Sequence, residues 1–552
     1  MPSEARRGIV RIAANYTRLL SNVVLGLISV NIIVRVTGNE GWGLVATLGA
    51  TTGIANLTEE SVRRSMIREL GAAIHSDDDG VFARVYNTAL VVAAGMTGVT
   101  LAIFGAILAL IWSGRVFTID DHLVSAAMWL MAFKALESFF EVLLSPVFNM
   151  YIASERMRGF NAWVMAQRLA RLGSALYLLW MLGPGSDVAH ALKTYAAVGA
   201  AMYISVILLA SLTMMLFVDR RTIPRPWLAR RSEMKSLVAI GKWNMAMTTA
   251  QNLHLRADQI VTNIIFGLAF NAPFGLAMQL TSYVRMLTVG MTDGLDAATA
   301  RLSAKKGEQS VRELIRHSTR LHAFVSIPTG IGLAILARPA LDLWVGSSVE
   351  NRGVVIPQAA LLMQIIVLGV TLRAVSDGWI RILYGAGHIR TYARPIVAWS
   401  VANPILAVVL SKAMASDIAY LGPAIAFSAV TVVISAIVVP LVGARCLGLT
   451  PWALAAPAAR PALVAVAASP ILLAAAFFVE TWTYLWLGAV CAAYAGVVTV
   501  GCVAFAMSAD ERRRFAGAIL RRARRRGGGA ASGQRDAQPG GAETTSSISS
   551  AE

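Results

Sequence analysis

Charged side chains sit where a chain this apolar should not carry them. Lys134, Glu137 and Glu141 are spaced +3 and +4, and Arg373, Asp377 and Arg381 are spaced +4 and +4. On an α-helix each set falls on one stripe. Asn244, Gln251 and Asp258 recur every seven residues, with His254 on the same face and Arg256 pointing elsewhere. Arg285 stands in mid-stretch, and Arg18 shares a face with Asn22. A cation costs roughly 2.5–3.5 kcal/mol at the centre of a bilayer-spanning helix, so none of these is expected to face lipid. Two chemistries fit. In the first, the charges neutralise one another as buried pairs, which suits Lys134 with Glu137 or Glu141 and Arg373 with Asp377. In the second, Arg18, Lys134, Arg256, Arg285 and Arg373 share a water-filled cavity that binds an anionic group, above all a phosphate or diphosphate. Glu137, Glu141, Asp258 and Asp377 are then the candidate sites for a coupling ion. Arg168 and Arg171 stand within about two turns of a helix end and fit either chemistry. Lys193, Lys242 and Arg381 lie near span ends and are expected to snorkel.

The elements that must position these residues are membrane spans. The chain is 56% hydrophobic and 14% charged, whereas a soluble protein carries about 25% charged residues. A spanning helix needs roughly 20 apolar residues. Fourteen stretches qualify: 11–34, 42–65, 85–112, 123–152, 163–182, 191–218, 237–265, 274–298, 321–336, 356–383, 395–410, 419–442, 461–478 and 485–507. The first has no small-residue cleavage site closing a short core, so it reads as an uncleaved span. Only His254 among the histidines is expected inside the membrane. Cys446, Cys491 and Cys502 form no metal-ligand or disulfide spacing.

The net charge of +18 sits in short connections between apolar runs. A nucleic-acid binder would gather it in patches on a polar fold; here it orients the chain in a bilayer. With the N-terminus inside, alternate connections hold Arg63, Arg64, Arg156, Arg158, Arg220, Arg221, Lys305, Arg316 and Arg394. The other side holds only Arg35, Arg115, Arg338, Arg352 and Lys412. This asymmetry predicts an even number of spans with both termini cytoplasmic.

The chain also repeats itself. Asn31-Ile32-Ile33 recurs as Asn263-Ile264-Ile265, Asn39 as Asn271, and Gly43-Leu44 as Gly275-Leu276, all at an offset of 232. Six spans precede the second copy, so the halves are parallel repeats. The expected fold is all-α integral membrane, with about 14 transmembrane helices: two parallel-repeat six-helix lobes plus two C-terminal helices. The expected boundaries are an N-lobe over 1–218, a basic linker over 219–234, a C-lobe over 235–445, spans 13 and 14 over 446–508, and a cytoplasmic tail over 509–552. In that tail 511–526 is basic and 527–552 is of disordered composition.

Enzymatic motifs are missing. There is no Walker A, no dinucleotide fingerprint and no His-Glu-x-x-His. Asp77-Asp78-Asp79 resembles a glycosyltransferase metal motif but reads better as a solvated acidic turn. The longest outer connection, about 337–355, offers only Asp342 and Glu350 as acids.

The Asn39-Glu-Gly-Trp-Gly-Leu44 stretch, its echo Asn271-Ala-Pro-Phe-Gly-Leu276 and Leu383-Tyr-Gly-Ala-Gly387 resemble motifs of the oligosaccharide (polysaccharide) flippase family. That family belongs to the superfamily that also holds multidrug extruders and lipid II flippases. The resemblance covers roughly residues 10–445, and the two extra spans favour the flippase branches. It implies translocation of a polyprenyl-diphosphate-linked oligosaccharide to the outer leaflet of a bacterial inner membrane, for surface polysaccharide biosynthesis. It implies a proton or sodium ion as coupling ion and polysaccharide polymerase machinery as a partner, with no cofactor, no metal and no enzymatic activity. A multidrug antiporter of the same superfamily is the nearest rival; a membrane glycosyltransferase or polymerase is the more distant one.

Overall fold

In the computed structural model of the protein, residues 2–55, 57–74, 76, 78–292, 295–296, 299, 302, 308–507 and 512 are described. The side chains of residues 2–18, 54, 57–65, 79, 235–245 and 308 lie outside that description. Arg18, Lys242, Asn244 and nearly all of the basic tail therefore lie outside it. Residues 1–498 form one compact unit and Thr499 onward a second. Every regular element among the described residues is helical.

α1 (Pro2–Ala55) carries the first expected span and the first part of the second, broken at Gly38 (φ 66°, ψ −168°). α8 (Arg231–Phe266) and α9 (Leu268–Thr292) repeat the arrangement around Gly267 (φ 77°, ψ −169°). Only glycine holds that backbone conformation without strain. The second break comes three residues earlier than the sequence offset of 232 would place it.

The N-lobe continues with α2 (Leu57–Ile74), α3 (Asp79–Trp112), α4 (Asp121–Leu143), α5 (Ser145–Ala153), α6 (Met157–Met181) and α7 (Val188–Thr213). The C-lobe continues with α10 (Glu308–Ile335), α11 (Ala337–Val345), α12 (Arg352–Gly385), α13 (Ile389–Ala413), α14 (Gly422–Val432) and α15 (Val439–Leu447). α16 (Pro451–Ala468), α17 (Pro470–Phe478) and α18 (Tyr484–Gly501) make the C-terminal pair, with α16 and α17 in one span. Among the described residues nine helical runs are long and apolar enough to cross a membrane, ten if the bent pair α10–α11 is one span. α6, α8 and α9 are not among them, since they carry polar residues of the site below. Among the described residues this is an all-helical, multi-pass membrane protein.

Two expectations about connections change. The outer stretch 337–355 is helical over α11, which meets α10 at 75°. α10 begins well before 321, because its amphipathic first turns continue the helix beyond the apolar run. His322, which falls inside the stretch 321–336, is 1% exposed, so His254 is not the only buried histidine within an expected span. The linker is strapped to the end of α3: Tyr86 Oη donates to Thr222 O (2.6 Å), Arg225 N to Asn87 Oδ1 (2.6 Å) and Arg230 N to Thr88 Oγ1 (2.9 Å). Asp78 caps α3 by accepting from Gly80 N at 2.8 Å, which with Arg84 holds its carboxyl below the usual range.

The duplicated residues form the contact between lobes. A Cβ on Gly43 would lie 2.6 Å from Leu268 O, and one on Gly275 2.8 Å from Ala46 Cβ. Asn271 Nδ2 donates to Thr47 Oγ1. Small residues let the second arm of α1 and α9 approach backbone to backbone. The largest hydrophobic core continues across this contact, from Ile33 and Val34 through Leu280 and Val284 to Met363 and Ile366. Gly267→Ala should cost about 1–3 kcal/mol and lower the thermal unfolding midpoint in detergent. Gly98→Ala, where nothing lies within 4 Å of the new Cβ, should not; equal midpoints for the two would contradict the glycine break.

Candidate functional site

A cavity of about 910 Å³ lies between the lobes. Its walls come from the second arm of α1, from α4 to α7, and from α8, α9, α12 and α13. Phe148, Phe160, Tyr384 and Tyr392 line it near the α5–α6 and α12–α13 turns, at the end that also holds Arg156 and the linker. We refer to this as the basic end. At the opposite end the lobes are joined: Asn31 Nδ2 donates to Trp344 O, Trp344 Nε1 to Leu27 O (2.9 Å) and Asn39 Nδ2 to Glu350 O (2.7 Å).

The lining is cationic. Lys134, Arg168 and Arg171 come from the N-lobe, and Arg256, Arg285, Arg373 and Arg381 from the C-lobe. Among the described residues the lining carboxylates are Glu141 and Asp377, with Glu137 buried behind. The spacing stripes carry over directly: Arg373, Asp377 and Arg381 all project from one face of α12 into the cavity.

The two lobes differ in how far their charges cancel. In the N-lobe Arg171 grips Glu137 with both terminal nitrogens, Nη1 to Oε1 at 2.8 Å and Nη2 to Oε2 at 2.5 Å. Lys134 Nζ donates to the same carboxylate at 2.6 Å. Tyr203 Oη donates to Glu141 Oε1 at 3.0 Å, and its ring lies 4.4 Å under the Arg171 guanidinium. Lys134 and Arg171 thus have two carboxylates beside them. In the C-lobe three cations, Arg285, Arg373 and Arg381, share Asp377, and Arg256 stands apart. Arg285 Nε donates to Asp377 Oδ2 at 2.6 Å. Arg373 Nε is 3.9 Å from Asp377 Oδ1, and this nitrogen has no hydrogen-bond partner although the residue is only 6% exposed. Arg256 Nη1 donates to Gly49 O at 3.1 Å, and its guanidinium occupies the space a Cβ on Gly53 would need.

The expected sites divide as follows. Lys134, Arg256, Arg285 and Arg373 meet in one cavity. The seven-residue stripe on α8 does not: Gln251 lines the cavity, while Asp258 and His254 turn into the C-lobe. There Asn403 Nδ2 donates to Asp258 Oδ2 at 2.8 Å, and Asp258 Oδ1 has no partner. His254 stacks on Phe427 and lies 2.8 Å from Thr431 Oγ1. Arg381 lines the cavity as well, on the face of α12 that carries Arg373 and Asp377. Arg168 and Arg171 line it too, and their +3 spacing on α6 is the signal that marks them. Asn149, Tyr203 and the aromatic residues at the basic end carry no such signal; they are ordinary span residues until the lobes meet. Among the described residues no cluster of three His, Cys, Asp or Glu could hold a metal.

Comparison with known proteins agrees with this architecture. The sequence model of a family described as "Polysaccharide biosynthesis protein" matches residues 187–351, under a third of the chain. A sequence search of curated proteins finds no match. Among solved structures, an inward-facing multidrug resistance MATE family transporter of the MOP superfamily superposes with a TM-score of 0.64 at 11% identity. That match covers 79% of this chain and 98% of the other. The lipid II flippase MurJ, in an inward closed conformation, gives 0.60 at 11% identity over 88% of this chain and 97% of its own. The MATE multidrug transporter DinF-BH in complex with R6G gives 0.58 at 14% identity over 78% and 93%. The fold is thus one that multidrug transporters and a lipid II flippase share, and the match over residues 187–351 is to a polysaccharide-biosynthesis family.

Removing one partner of a buried ion pair costs about 3–5 kcal/mol. Glu137→Gln, which strands Lys134 and Arg171, should therefore lower the unfolding midpoint sharply. Adding Lys134→Met and Arg171→Met should recover part of the loss, because the stranded charges are gone. A triple variant less stable than Glu137→Gln alone would contradict the pairing.

Proposed function

We propose that the protein is a flippase that carries a polyprenyl-diphosphate-linked oligosaccharide from the cytoplasmic to the outer leaflet of a bacterial inner membrane. The observation that carries this reading is the inter-lobe cavity, with its surplus of cations concentrated on the C-lobe. A diphosphate-sugar head cannot cross hydrocarbon unaided. Arginines replace its hydration with charge-assisted hydrogen bonds, while the lipid tail stays in the bilayer. The cavity reaches the basic end, taken as cytoplasmic by the positive-inside rule, and the Trp344 contacts close the other. Rocking the two lobes about the α1–α9 contact would exchange these states.

Outward movement of anionic charge is downhill by roughly 2.3 kcal/mol per charge per 100 mV when the cytoplasm is negative. An inward proton or sodium ion adds drive, and Asp258 with Asn403 inside the C-lobe is the coupling site favoured here over Glu137, Glu141 and Asp377, which already face cations. The MurJ match covers more of the chain than the MATE match does, which supports the branch with two extra spans. A cationic cavity disfavours organic cations as cargo and so weighs against the antiporter. The chain is read as a transporter, not an enzyme.

Deletion of the gene in its host should make a complete polyprenyl-diphosphate-linked repeat unit accumulate, seen by mass spectrometry of extracted lipids, as a surface polysaccharide disappears. Unchanged lipid-linked sugars would overturn the flippase reading. Arg285→Ala and Arg373→Ala should each fail to restore the polysaccharide at normal membrane abundance; normal restoration by both would refute the cation cavity. Asp258→Asn in vesicles should transport without responding to an imposed proton or sodium gradient. If its response matches the parent's, the coupling site lies elsewhere.

A further inference from the structure

Span four is kinked where it reaches the basic end. α4 stops at Leu143, Leu144 sits at φ −93°, ψ 2°, and α5 restarts with Pro146 in its first turn. Proline removes a helical donor and bends the run. Leu144, Ser145, Phe148 and Asn149 all line the cavity at this bend. Irregular backbone within a membrane is tolerated where it borders such a space.

Asn149 is 1% exposed, and its Nδ2 donates to nothing in the protein. A buried donor without a partner is rare enough to need a reason. Arg373 Nε, from the opposite lobe, is a second such donor on the same cavity. Both call for acceptor atoms on a ligand, but of different kinds. A guanidinium matches a phosphoryl oxygen; a neutral amide matches a hydroxyl, ring or amide oxygen. The aromatic rings of Phe148 and Phe160 lie 5.6 Å apart beside Asn149, and both reach the cavity. Their faces suit the C–H surface of a sugar ring, as weak C–H contacts and apolar burial allow.

Resting on the flippase reading, we propose that the α4–α5 bend is the glycan subsite. Asn149 donates to an oxygen of a sugar near the diphosphate, and Phe148 and Phe160 carry that sugar's apolar face. Arg373 and Arg285 hold the diphosphate across the cavity. Asn149 is thus a specificity-determining residue that recognises sugar and not phosphate.

The test is equilibrium binding to the full chain in lipid nanodiscs. The two probes are polyprenyl diphosphate and the lipid-linked saccharide extracted from a host lacking the protein. Asn149→Ala should weaken binding of the saccharide probe about tenfold, the scale of one hydrogen bond with its desolvation, and leave polyprenyl diphosphate unchanged. Arg373→Gln should weaken both. The unfolding midpoint of Asn149→Ala should match the parent, since its donor holds no protein partner; Asn149→Ser is the smaller change read beside it and should discriminate the probes in the same way. If both Asn149 variants bind the two probes as the parent does, or lose both equally, the glycan subsite is wrong and the diphosphate reading stands. If neither probe binds the parent protein, the flippase reading itself fails.

Discussion

An ionised side chain has no stable place against hydrocarbon, and the architecture follows from that constraint. Charged groups on α4, α6, α8, α9 and α12 must all turn away from lipid. Two lobes facing one another give them a shared, wettable space. The outer surfaces can then remain apolar, with exposed Leu463, Phe477 and Leu485 on the last two spans. Charges that find carboxylates close by, as Lys134 and Arg171 do at Glu137, brace the N-lobe. Those in excess, on the C-lobe, leave the cavity positive. Cancelled and uncancelled charges are thus separated by lobe, though both arise from one energetic penalty.

The lobes must also meet closely at one place and part at another. The duplicated glycines Gly43 and Gly275 bring α1 and α9 into backbone contact. Bulkier residues there would hold the lobes apart. Trp344, on the bent helix α11, reaches the N-lobe with both its indole nitrogen and its carbonyl. Tyr484, at the start of α18, donates to Leu343 O beside it at 2.6 Å. The C-terminal pair thereby touches the element that closes the cavity. These polar contacts accompany an apolar cluster that includes Val30 and Val34 with Leu341, Trp344 and Val345.

Much of this was legible in residue order. Apolar runs of spanning length, the bias of basic residues and the offset of 232 lead to two six-helix lobes plus two spans. The +3 and +4 spacings place Lys134 with Glu137, and Arg373 with Asp377 and Arg381, on single faces. These are local properties: helix period and transfer energy act within a span, so one sequence suffices to read them. The partner of Arg285 was not legible, since Asp377 lies on another helix with nothing in its spacing to link the two. The stripe on α8 shows the limit from the other side. Gln251 and Asp258 are close in helical angle, yet one lines the cavity and the other is enclosed by α13 and α14.

What the amino-acid order determines alone is therefore the membrane class, the duplication and the faces that bear charge. Tertiary structure decides which faces meet and which charges cancel. It decides that Arg381 turns inward, that His322 is buried, and that Asn149 is left without a partner beside the cavity. The reason is physical: a helix carries its own periodicity and hydropathy in its sequence. Neutralisation and hydrogen-bond satisfaction are pairwise properties of groups on different helices, and they exist only once the lobes have packed.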